Sequence, residues 1–150
     1  MSAFTFRLDR VLDHRVRQED LVRQELAAAI AAVAAQQERA VAARRRVEDE
    51  TTGFRELASG TSTLADLRAK HHDLAIARAR AAHETTVVAQ LEAVADERRA
   101  DLLRASQDRE ALARLRRTAE DRHRAEELRV EANALDELAL RRAGRGPHAA

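Results

Sequence analysis

Few side chains in this sequence have the type and spacing to do chemistry. Glu120-x-x-His123 places a carboxylate and an imidazole on one face of a helix, the spacing used in carboxylate-bridged di-metal bundles. Those centres need two such motifs and two further glutamates from facing helices. One copy stands here, in an Arg-rich stretch, so the expected reading is an exposed polar face. His71 and His72 are adjacent, about 100° apart on a helix, and poorly placed to chelate one ion. His71 falls on a continuation of the apolar seam, where a partly buried imidazole is expected, and His72 points elsewhere. The chain has no Cys, which removes disulfides, thiolate-bound zinc, iron-sulfur clusters and a thiol nucleophile. No catalytic residue, metal or cofactor is expected.

Two other groups concern binding. Arg39, Arg44, Arg45 and Arg46 form the densest basic cluster, with Glu48, Asp49 and Glu50 beside it and no aromatic residues of the kind on which bases stack. Nucleic acid is not an expected partner. His72, Ile76, Ala79 and His83 share a helix face opposite the seam through Leu74 and Ala77. Ile76 should therefore be exposed, either as a stray surface residue or as the centre of a small docking patch.

The elements that must carry these residues follow from composition. Of 150 residues, 34 are Ala, three are aromatic (Phe4, Phe6, Phe54), four are Gly and one is Pro. A thick core cannot be filled from methyl groups, and sheets need turn residues that this chain lacks between Gly60 and Gly144. Long helices remain, in keeping with the dominance of Ala, Arg, Glu and Leu. The 27 basic and 26 acidic residues leave a net charge of +1, so no strong global field draws a polyanion. The longest apolar run, Leu26 to Ala35, is half of the roughly 20 residues that span a bilayer. Arg7, Asp9 and Arg10 stand where a signal peptide needs apolar residues. A soluble, non-exported chain without direct membrane insertion is expected.

The spacing predicts an all-α fold, a long antiparallel two-helix coiled coil with the second helix longer than the first. The first helix is expected over about 5–58, a turn over 59–63 and the second helix over about 64–143, as one elongated hairpin. Residues 144–150, with Gly144, Gly146 and Pro147, are expected to be a disordered tail. In the first helix Val22, Leu26 and Ile30 advance by four each, which predicts a local shift of the seam. Gly60 suits a left-handed C-terminal cap, and Thr63 with Asp66 matches a capping box. In the second helix Leu74, Ala77, Ala81, Glu84, Val88, Leu91, Ala95, Arg98, Leu102, Ala105, Arg109 and Leu112 step by three and four over about five heptads.

At about 1.5 Å per residue the helices would be roughly 80 and 120 Å long. Folding back at Gly60 brings Leu8 near Leu112 and leaves the chain after about Arg116 overhanging. Leu128, Leu135 and Leu138 then lack an intramolecular partner, which implies another chain or a disordered end. A seam so rich in Ala is weak, since Ala at a well-packed site buries about 2 kcal/mol less than Leu.

The two ends hold residues that a coiled coil alone does not require. Phe4-x-Phe6-Arg7-Leu8-x-x-Val11-Leu12-Asp13-x-Arg15 opens the chain, and Leu135-Asp136-Glu137-Leu138-Ala139-x-Arg141-Arg142 stands near its close. With the length and the hairpin, these segments resemble the FliJ family, the small coiled-coil component of the flagellar type III export apparatus, over residues 4 to 142. The resemblance implies a non-enzymatic stalk that binds the export ATPase hexamer and the large membrane subunit of the export gate, and that assists export chaperones and their substrates. It implies a cytoplasmic location at the inner face of the cell membrane. Phe4, Phe6, Leu8, Leu128, Leu135, Leu138 and Arg141 are the expected ATPase-contacting residues. His72, Ile76, Ala79 and His83 resemble the family's gate-contacting positions, with His72 where the family can carry an aromatic ring. The equivalent stalk of a virulence injectisome and a generic coiled-coil scaffold are the alternative readings.

Overall fold

The computed structural model describes residues 4–143. Its elements are two helices, α1 (Asp9–Ser59) and α2 (Leu64–Ala143), of 51 and 80 residues. Among the described residues there is no strand. By internal packing the chain divides into two compact units. One comprises the chain up to Glu19 and from Ala105 onward, the other Asp20–Arg104.

In the Asp20–Arg104 unit the helices run antiparallel through the turn at 60–63. Thr63 is the N-cap of α2: its Oγ1 accepts from the Asp66 amide at 3.2 Å, and the Asp66 carboxylate accepts from the Thr63 amide at 3.1 Å and hydroxyl at 2.6 Å. These bonds satisfy donors that a helix start leaves open. They hold the Asp66 carboxyl below its ordinary value, the hydroxyl bond acting most strongly. Gly60 differs from expectation, because no described glycine has a positive φ. α1 ends instead with the Gly60 amide donating to the Leu57 carbonyl at 3.3 Å and the Ser59 hydroxyl to the Glu56 carbonyl at 3.0 Å.

The α1 seam of this unit is Val22, Leu26, Ala29, Val33, Gln36, Ala40, Ala43, Val47, Glu50, Phe54 and Leu57, every one at least half-buried. These positions alternate steps of three and four without a break, so the seam does not shift at Ile30. Ile30 is 46% exposed and Ala29 takes the place. The apolar spacing misleads because Glu19, Gln36 and Glu50 of α1 are buried polar residues and the seam position beside Ile30 is the small Ala29. In α2 the expected positions from Leu74 to Leu102 are all at least half-buried, with Ala95 at 1% exposure. The seam runs back from Leu74 through Lys70 to Leu67, not through His71. His71 is exposed and meets the Phe54 ring edge-on, with centroids 6.2 Å apart.

Polar layers interrupt this thin interior. Gln36 Nε2 donates to the Glu84 carboxylate and, at 3.4 Å, to the Glu84 carbonyl. Glu50 is nearly buried and takes the Lys70 ammonium at 2.5 Å and the Arg46 guanidinium at 2.7 Å. The Lys70 hydrogen bond is the main cause of a lowered Glu50 pKa, against the opposing effect of burial. Gly53 keeps the path open, since a Cβ there would lie 2.9 Å from Lys70 Cε. Ala layers resemble one another and slide at little cost. A buried polar residue that finds its partner at one register only penalises slippage by leaving that group unpaired.

In the other unit, Leu12 and Glu19 of α1 are buried and Arg15 is half-buried, as are Ala105, Arg109, Leu112, Ala119 and His123 of α2. Buried Glu19 accepts from Ser106 Oγ at 2.9 Å and from the Arg109 guanidinium. Arg15 pairs with Asp108 at 3.2 Å and Asp9 with Arg116 at 3.6 Å. Asp9 thus meets α2 about one turn later than folding about Gly60 predicts, because the middle of the turn is Thr61 and Ser62. Residues 4–8 precede α1 rather than belonging to it. There Phe4, Phe6 and Leu8 are half-buried while Thr5 and Arg7 are exposed, and residues 7–8 form a turn in which the Asp9 amide donates to the Phe6 carbonyl at 3.1 Å. The expected disordered tail lies outside the described residues.

Candidate functional site

Within the unit that holds both chain ends, the apolar residues expected to await a partner separate into two groups. Phe4, Phe6 and Leu8 are half-buried, and the Phe4 ring meets the His123 imidazole edge-on with centroids 5.6 Å apart. The segment before α1 thus meets α2, and partly buried residues of α2 continue to Glu127, beyond the Arg116 where the overhang was expected to begin. Leu128, Leu135 and Leu138 are exposed, as are Val130 and Leu140, which the sequence reading did not single out. Every side chain described from Leu128 to Arg142 is exposed. Arg141 reaches Glu137 at 3.8 Å.

Helical geometry sets the direction of this bare segment. Taking His123 as the last seam residue, Leu128 and Leu135 lie about 120–140° around the helix from the seam and Leu138 about 60°. The leucines therefore do not extend the seam that holds α1. Ala132 and Ala139, about 160–180° from the seam, flank Leu128 and Leu135 on the side away from Leu138, so the five residues share one side of the helix, about 120° wide. Such a run of exposed leucine marks a place where another surface docks.

The residues considered for chemistry are drawn into structural roles. Glu120 accepts from Arg124 at 3.4 Å, and His123 Nδ1 lies 3.7 Å from Glu127. Among the described residues no group of three or more His, Asp or Glu gathers to hold a metal ion. No helix among them is long and apolar enough to cross a membrane.

In the Asp20–Arg104 unit, His72, Ile76, Ala79 and His83 are all exposed on one side of α2, with Ile76 at 55%. The outward position of an isoleucine between two histidines and an alanine follows from the seam register, since Leu74, Ala77, Ala81 and Glu84 take the opposite face. Beside Ile76 the helices leave an open groove that Arg39 and Arg46 of α1 and Arg80 of α2 also line.

No curated protein and no solved structure matches the chain. The sequence pattern of the family described as "Flagellar FliJ protein" matches residues 4–148. With all but a few terminal residues matched, the chain belongs to the FliJ family and is a component of the flagellar export apparatus.

Proposed function

We propose that this chain acts as a non-enzymatic stalk of the export apparatus, at the inner face of the cell membrane. Its leucine-bearing end contacts the export ATPase hexamer, and the stripe His72, Ile76, Ala79 and His83 contacts the large membrane subunit of the export gate. Export chaperones are further partners. The observation that carries this reading is the exposed leucine stripe from Leu128 to Leu138, on a side of α2 that its own partner helix does not use. Phe4, Phe6 and Leu8 enter it in a changed role. They pack on α2 up to His123 and anchor the helix from which the leucines project, with less of their own surface left for the ATPase.

The segment suits recognition without a large net charge. It carries Glu131, Asp136 and Glu137 as well as Arg129, Arg141 and Arg142, so contacts there are local pairs around an apolar stripe. Removal of residues 128–150 tests the reading: capture of the ATPase and stimulation of its hydrolysis should both be lost. Intact capture and stimulation would reject it. For the gate stripe, Ile76→Asp should abolish capture of the gate subunit with helicity unchanged, and normal capture would reject that contact.

A further inference from the structure

The end of α2 carries a second heptad pattern, separate from the seam that meets α1. Ala125, Leu128, Ala132, Leu135 and Ala139 step by three and four, and all five are exposed. They lie about 120–200° around the helix from His123, on the side away from α1. Alanine takes one core position of the heptad throughout and leucine the other. Two such seams running in opposite directions set a leucine of one chain against an alanine of the other in every layer, which keeps the layers equal in width. Running in the same direction, they would stack leucine on leucine and alanine on alanine.

The charges beside this seam select the same arrangement. Arg129 and Asp136 follow the two leucines on one flank, and Arg124 and Glu131 precede Ala125 and Ala132 on the other. In an antiparallel pair each flank meets the same flank of its partner. The hairpin itself shows this, where Gln37, just after Gln36, donates to Glu92, just after Leu91, at 3.4 Å. With Leu128 opposite Ala132 of a second copy, Arg129 meets Asp136 and Arg124 meets Glu131, each twice by symmetry. A parallel pair would bring opposite flanks together and face Arg124 with Arg129 and Glu131 with Asp136. Sliding the antiparallel pair by one heptad would set Asp136 against Asp136 and Glu131 against Glu131. Glu131 and Asp136 form no ion pair or hydrogen bond among the described residues. Arg124 reaches Glu120 at 3.4 Å and Arg129 reaches Glu126 at 3.8 Å, with both arginine side chains mostly in solvent. A guanidinium has donors to spare for a second carboxylate.

We propose that the free chain pairs through this seam with a second copy of itself, antiparallel, and that the pair covers the stripe offered to the export ATPase. α2 is already helical to Ala143, so pairing orders little new backbone. Four leucines over two heptads make a weak pair, with a dissociation constant on the order of 100 µM, which a tighter partner displaces. The covering role rests on the ATPase reading, and the pairing itself does not.

Sedimentation equilibrium of the full chain from about 10 µM to about 1 mM reads the pairing, and dimer should accumulate toward the upper end. Arg129→Asp alone and Asp136→Arg alone should each weaken it about tenfold, since either change turns two attractive pairs repulsive. The double variant, and an equimolar mixture of the two single variants, should pair within about threefold of the parent. Circular dichroism should show the same helicity in all of them. A chain that stays monomeric throughout, or single variants that pair as well as the parent, overturns the inference. Added export ATPase should dissolve the pair, and a pair that persists in the ATPase complex overturns the covering role. A monomeric chain that still captures the ATPase sinks the pairing and spares the ATPase contact. Pairing that obeys the charge exchange in a chain that captures no ATPase supports the pairing and sinks the contact.

Discussion

Replacing Leu128 and Leu135 together by Ala removes the centre of the proposed ATPase contact without touching the seam. The two side chains are 62% and 66% exposed. Full burial of a leucine contributes about 1.5–3 kcal/mol, so covering the exposed two thirds of each contributes about 1–2 kcal/mol. Alanine keeps only a small part of that. The double variant therefore loses about 2–4 kcal/mol, a roughly 30- to 1000-fold weaker affinity at tenfold per 1.4 kcal/mol. Because neither leucine packs on another described part of the chain, unfolding should change by no more than about 0.5 kcal/mol. Anisotropy titration of a labelled chain with the export ATPase measures the first quantity, and a urea or thermal melt the second. Affinity within about threefold of the parent, or a destabilised chain, would refute the reasoning.

Leu74→Ala should destabilise the chain by about 2 kcal/mol, the low end for a buried leucine because the surrounding layer is thin, whereas Ile30→Ala should be nearly neutral. Urea melts of the two variants compare them directly, and a large cost at Ile30 would restore the shifted seam. Gly60→Ala should be neutral or stabilising by up to about 1 kcal/mol, since the φ is not positive and the added Cβ meets the nearest carbonyl oxygen at 3.6 Å; a thermal melt checks this. Acid should weaken the fold. Glu50 and Asp66 have lowered values in the folded chain, against ordinary values of 4.5 and 3.8. Their contribution is complete above those ordinary values and drains as pH falls through the folded ones. The melting temperature at pH 3 should lie below that at pH 7, and Glu50→Gln should narrow the gap.

The second helix was readable in the sequence because its seam is mostly Leu, Val and Ala at alternating spacing, and each position from Leu74 to Leu112 is at least half-buried. The first helix misread at Ile30 because hydropathy assigns Glu19, Gln36 and Glu50 to the surface, while each is buried against a partner on α2 that only the paired fold supplies. Lys70 took the place expected of His71 for the same reason, its charge being matched by Glu50. α1 starts at Asp9 and not near residue 5 because the chain turns at 7–8 before the helix begins, and the helical spacing of Leu8 and Leu12 carries no sign of that turn. Exposure of Ile76 and of Leu128, Leu135 and Leu138 followed from register and chain length alone. The Phe4 contact with His123 did not, since it joins residues whose distance apart depends on where the turn is centred.

The central claim is that the end of α2 from Leu128 onward is where the export ATPase binds. Most direct is a cross-linking measurement on the assembled pair, with a photo-reactive amino acid placed in turn at Leu135 and at Val41, each exposed in the free chain. ATPase-dependent adducts are expected from position 135 and none from position 41. Adducts from position 41 alone, or equal yields from both, would contradict it.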